Sequence, residues 1–78
     1  MKLKTELKKV IEKNEEAVAE LIDEIFKAQR SPTNDNHIIR LAEDMKELGL
    51  IEEIDDDIDK TWRDMITVAN LIKHYNLI

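Results

Sequence analysis

Apolar residues recur three and four apart along almost the whole chain, with charged residues between them, which is helical spacing throughout. In the first segment Leu3, Leu7, Ile11, Val18, Leu21, Ile22, Ile25 and Phe26 share one stripe, and Asn14 stands on it where an apolar residue would be expected. Lys8, Lys9 and Lys13 before Asn14, with Glu15 and Glu16 after it, would suit one helix ending and another beginning. The unbroken stripe and the lack of Gly or Pro favour a single helix of about 27 residues, roughly 40 Å long. Continuity is the expectation. Asn14 is then either a polar residue in a packing seam, a device that fixes register or oligomeric state, or an exposed flank residue. Arg30-Ser31-Pro32 ends the segment, because the residue before a proline is pushed out of the α region.

The second segment has clean punctuation. Ser31 can cap it with Pro32 in the first helical position, and a later cap at Thr33, Asn34 or Asp35 competes. Ile38, Leu41, Ala42, Met45 and Leu48 form its apolar face. Gly49 supplies a left-handed residue after the last turn, and Leu50 falls where a Schellman motif would place it against Met45. In the third segment Ile51, Ile54, Ile58, Thr61, Met65, Val68, Ile72 and Tyr75 alternate by three and four, a heptad seam over about 25 residues. Trp62 and Ala69 widen it on one side and Leu71 on the other. Aspartate disfavours helix interiors but suits a first turn, so this helix can begin anywhere from Ile51 to Asp57.

These elements predict an all-α fold, a small antiparallel bundle of three helices, or four if the first breaks at Asn14. Residues 1–78 are expected to form one domain. Two helices near 40 Å would flank a middle one of about 25 Å, too short to cover both stripes. Part of Leu3 to Ile11, or the Val68 to Ile78 end, should therefore stay exposed in a single chain, and a homodimer or an obligate partner is expected.

Composition narrows the classes. A chain of 78 residues buries only about 60–65% of the surface its unfolded form exposes. With no cysteine, neither a disulfide nor a thiolate contributes, and no stretch approaches the roughly 18 apolar residues of a membrane span. The Lys-rich start leads into no apolar signal core, so the chain reads as intact and cytoplasmic, with no membrane partner. The net charge of −6 is uneven: residues 1–14 carry five lysines against two glutamates, and the remainder is strongly acidic. Such a body repels phosphate, which argues against direct nucleic-acid binding and suits a basic protein surface as partner.

The acid concentrates in one place. Nine acidic residues lie between Glu43 and Asp59, against the single base Lys46. Asp56–Lys60 and Asp59–Arg63 have the spacing of helical ion pairs. Asp44, Glu47, Glu52, Glu53, Asp55 and Asp57 have no helical base partner and cluster about Gly49, which makes them the candidate partner-binding residues. Asp55, Asp57 and Asp59 match the opening of a calcium loop, but Lys60 and Ile66 occupy the places that need Gly and a bidentate Glu. Calcium is therefore not expected.

Two resemblances have to be weighed against a pure binding role. Glu53-Ile54-Asp55-Asp56 resembles the second carboxylate element of MazG-like nucleotide pyrophosphohydrolases, and Glu15-Glu16-Ala17-Val18-Ala19-Glu20 misses the first by one residue. That likeness implies magnesium held on helix faces. Leu7-Lys8-Lys9-Val10-Ile11, and Thr67-Val68 with Leu71-Ile72, look like the first and last helices of an acyl carrier protein. The Asp-Ser-Leu attachment site is missing, since Asp35-Asn36-His37 stands near its place and the single serine, Ser31, lies in Arg-Ser-Pro. No catalytic residue is assigned: His37 and His74 read as capping or surface residues, and Trp62 as a core or interface anchor. The expected function is a small acidic binding module without cofactor, an inhibitor or regulator of a basic partner such as a nucleic-acid-handling protein. Phage anti-defence and nuclease immunity proteins share this size and charge, a likeness of class alone.

Overall fold

The structure is a computed structural model and describes residues 4–31 and 33–77. Leu3 of the first stripe, Pro32 and Ile78 lie outside the described residues. Among the described residues there are four helices and no strand: α1 (Lys4–Lys13), α2 (Glu15–Arg30), α3 (Asp35–Glu47) and α4 (Ile58–His74).

The continuous first helix is not formed. The chain leaves the helix at Asn14 (φ −150°, ψ 53°), whose N–H bonds to the Ile11 carbonyl and whose carbonyl accepts from the Val18 N–H, each at 3.0 Å. The physical reason is burial. A straight helix of about 40 Å would overrun a molecule whose longest dimension is 31 Å. Breaking it lets α1 turn back, so that Leu7 and Ile11 lie in the same core as Val18, Ile22 and Ile25 of α2. Lys13 in the last turn of α1 and Glu15 and Glu16 in the first of α2 complement the two helix ends.

The middle helix begins at the later of the two predicted sites. Asn34 is its N-cap, with Oδ1 accepting from the His37 N–H at 2.9 Å, while Ser31 closes α2 as its C-cap. Thr33 joins the two, its hydroxyl donating to the Ala28 carbonyl at 3.1 Å. Ile38, Leu41, Ala42 and Met45 are buried, the i, i+3, i+4, i+7 stripe of an amphipathic helix. At the other end the Schellman motif forms as predicted: Gly49 (φ 81°) donates to the Lys46 carbonyl, and Leu50 to that of Met45 at 2.8 Å. A second such motif ends α4, where Asn76 (φ 52°) donates to Lys73 and Leu77 to Ile72.

The core draws on all four helices: α2, α3 and α4 contact one another, and α1 rests on α2. Among the described residues the expected exposed stripes are therefore mostly covered. Leu7, Ile11, Val68, Ile72 and Leu77 are all buried, and Tyr75, at 43% exposure, is the one exposed large apolar side chain among the described residues. The radius of gyration is 11.5 Å, matching the roughly 11.5 Å of a packed chain of this length.

Gly49→Ala provides the test of the α3 stop. An added Cβ would meet Val10 Cγ1 at 3.5 Å, an ordinary contact, so the cost comes from the left-handed backbone. We expect a loss of about 1–2 kcal/mol in urea unfolding, whereas an unchanged midpoint would show that the Gly49 conformation is not required.

Candidate functional site

The run of acids after Gly49 is neither helix nor slack loop. Residues 51–57 lie between α3 and α4 and are pinned by apolar side chains: Leu50 is buried, and Ile51, Ile54 and Ile58 pack half-buried against the core. The acids between them, Glu52, Glu53, Asp55, Asp56 and Asp57, are all exposed. The isoleucines keep helical spacing, but the aspartates compete for backbone hydrogen bonds and win. Asp55 Oδ1 accepts from the Asp57 N–H at 2.8 Å, and Asp57 Oδ1 caps α4 by accepting from the N–H groups of Asp59 (3.0 Å) and Lys60 (3.3 Å).

Thr61 fastens this segment to the helix. Its hydroxyl accepts from the Asp55 N–H at 3.0 Å and donates to the Asp55 carbonyl at 3.1 Å, satisfying both backbone groups of one residue. It is the one buried polar side chain among the described residues, at 4% exposure. The heptad position held by Thr61 thus serves a hydrogen-bonding purpose that an apolar residue could not.

The predicted ion pairs are rearranged. Because residue 56 precedes the helix, Asp56 is not one turn from Lys60; Lys60 Nζ instead lies 3.7 Å from Asp55 and 3.6 Å from Asp64. Asp59 and Arg63 form no ion pair among the described residues. These surface pairs contribute little, on the order of 0–1 kcal/mol each.

The six candidate residues do not behave alike. Asp55 and Asp57 have structural work in the turn and the cap. Among the described residues, nothing bonds to the carboxylates of Asp44, Glu47, Glu52 or Glu53. They line two shallow grooves: Glu52, Glu53 and Asp55 border one of about 250 Å³ with Ile51, Lys60 and Asp64. Asp44 and Glu47 border another of about 290 Å³ between α2 and α3, where Glu20 and Glu24 join them above Leu21 and Leu48. No base lines this second groove. Glu20 and Glu24 are a contribution that the sequence reading missed, because only the packing of α2 on α3 brings them to the acids before Gly49. The one signal was their i, i+4 spacing on the polar side of α2.

The geometry implied by the MazG resemblance is not formed, since Glu53 and Asp56 lie in the connection and not on a helix face. Nor do the described residues contain a group of three His, Asp or Glu placed to hold a metal ion. His37 is exposed at the start of α3, with its backbone N–H satisfied by Asn34. His74 ends α4 edge-on to Tyr75, with ring centroids 5.0 Å apart.

Thr61→Val tests the tie between turn and helix. Removing the hydroxyl strands both backbone groups of Asp55 and should cost about 1–3 kcal/mol of stability. Thr61→Ser keeps the hydrogen bonds and should cost clearly less in the same urea titration. A loss at Thr61→Ser that exceeds that at Thr61→Val would mean that the methyl, not the hydroxyl, matters. No protein family, curated protein or solved structure matches this chain.

Proposed function

We propose that this chain is a small binding protein, without catalysis of its own, that docks its acidic surface on a basic face of another protein. The observation that carries the reading is the α2–α3 groove, where Glu20, Glu24, Asp44 and Glu47 stand together with no base among the lining residues. Holding like charges together costs self-repulsion, which a basic partner would relieve on binding. With apolar residues spent on the core, charge is the main currency left for recognition, and it acts chiefly on association rate and partner choice. On this proposal the helices form an antiparallel bundle, with the grooves on either side of the Gly49 turn. Inhibitors and regulators of nucleic-acid-handling proteins, of the anti-defence or immunity kind, remain the class it fits by size and charge, and the cytoplasm the compartment.

The expected dimer rested on apolar stripes that, among the described residues, are covered except at Tyr75, so a single chain is taken as the binding unit.

Affinity capture with this chain as bait, followed by measurement on the captured protein, tests the reading. Raising salt from 50 to 500 mM should release the partner, because the screening length falls from about 14 Å to about 4 Å across that range. Reversing Asp44 and Glu47 to Lys should weaken binding about tenfold or more while leaving the fold intact. Asp55 and Asp57 are poor choices, since their loss would disturb the turn itself. Binding indifferent to both salt and charge reversal would overturn the proposal.

A further inference from the structure

The local signal for a break here is helix-end charge alone, with Lys13 before it and Glu15 and Glu16 after it. Asn14 is exposed, its side chain caps nothing, and neither Gly nor Pro occurs before Pro32. The interruption lasts one residue, and among the described residues the N–H groups of Glu15, Glu16 and Ala17 have no backbone acceptor. A straight helix would give them one. What holds the break is tertiary: Leu7 and Ile11 are at 1% and 0% exposure, and Val10 packs beside the Gly49 turn.

Those contacts do not require that α1 and its site belong to one chain. The apolar stripe also stays in phase across the break, with residues 7, 11, 14, 18, 22 and 25 at steps of three and four. An α1 that only folded back would have no need of that phase, because the break resets the face. That phase lets residues 4–30 present one apolar face when the hinge is straight.

We infer that Asn14 is the hinge of a reciprocal exchange between two copies of this chain. The hinge straightens, α1–α2 becomes one helix, and α1 of each copy fills the Leu7 and Ile11 site of the other. The apolar contacts of the closed chain are remade across the interface, and the straightened hinge gains helical hydrogen bonds. The opposing cost is the freedom lost on association, which keeps the closed chain dominant when dilute. The partner is a second copy, and the docking surface is the site that α1 already occupies. The exchange does not depend on the acidic surface.

Asn14→Leu puts an apolar residue back on the stripe and Asn14→Asp keeps a polar residue of similar size, so the pair isolates the hinge. Light scattering after gel filtration at high micromolar concentration should give Asn14→Leu twice the 9.2 kDa chain mass and Asn14→Asp a single chain. Spin labels at Lys8→Cys and Glu20→Cys in the Asn14→Leu background report straightening, since twelve residues of unbroken helix span about 18 Å and a folded-back hinge spans less. A folded Asn14→Leu that stays monomeric overturns the inference, as does a dimer with the short separation. If circular dichroism shows that variant to be unfolded, the native chain refolded from urea at high concentration decides. A separable dimer that persists on dilution supports exchange, and its absence rejects it.

Discussion

The constraint that organises this molecule is that a short chain must cover its own apolar faces. No disulfide is available to offset a thin core, so each buried side chain counts. The turn at Asn14 is how the requirement is met. It brings Leu7 and Ile11 back onto α2 and leaves Tyr75 as the single large apolar side chain exposed among the described residues. A straight first helix would have satisfied local geometry and left the core open. Tertiary burial prevailed over local continuity.

Surface chemistry follows from that closure. With the apolar residues inside, the exterior is charged, and the acids gather where the chain turns from α3 towards α4. There the pattern serves two ends at once. Leu50, Ile51, Ile54 and Ile58 anchor the connection inward, and the intervening acids are left pointing to water. Some of them, Asp55 and Asp57, shape the backbone; others, Asp44, Glu47, Glu52 and Glu53, have no such structural task. The second group, with Glu20 and Glu24 across the α2–α3 groove, carries the proposed recognition.

How much of this could be read from the chain depended on whether a local signal opposed or agreed with the packing. The Gly49 stop was legible because the single glycine, the apolar Leu50 and the end of the Ile38–Met45 face all agree. The break at Asn14 was legible only in part: Lys8, Lys9 and Lys13 before it and Glu15 and Glu16 after it suited two helix ends, but the stripe passes through it and no Gly or Pro marks it. The start of α4 was ambiguous for a related reason: Ile51, Ile54 and Ile58 repeat at helical spacing, yet Asp55 and Asp57 draw the backbone into turns. The Asn76 cap carried a readable sign, an asparagine after the last stripe residue followed by Leu77, and was overlooked. Of the site, the acids near Gly49 were visible in sequence, whereas the contribution of Glu20 and Glu24 depends on tertiary contact and was not.

Amide hydrogen exchange of the dilute chain tests the central claim, that α1 breaks at Asn14 and completes the core. The account predicts slowed exchange from Lys8 to Lys13, fast exchange at Glu15, Glu16 and Ala17, and slowed exchange again from Val18 onward. Unbroken protection from Lys8 through Val18 would show one continuous helix in the single chain, and an unprotected Lys8–Lys13 would show that α1 does not pack. Either result would contradict the account.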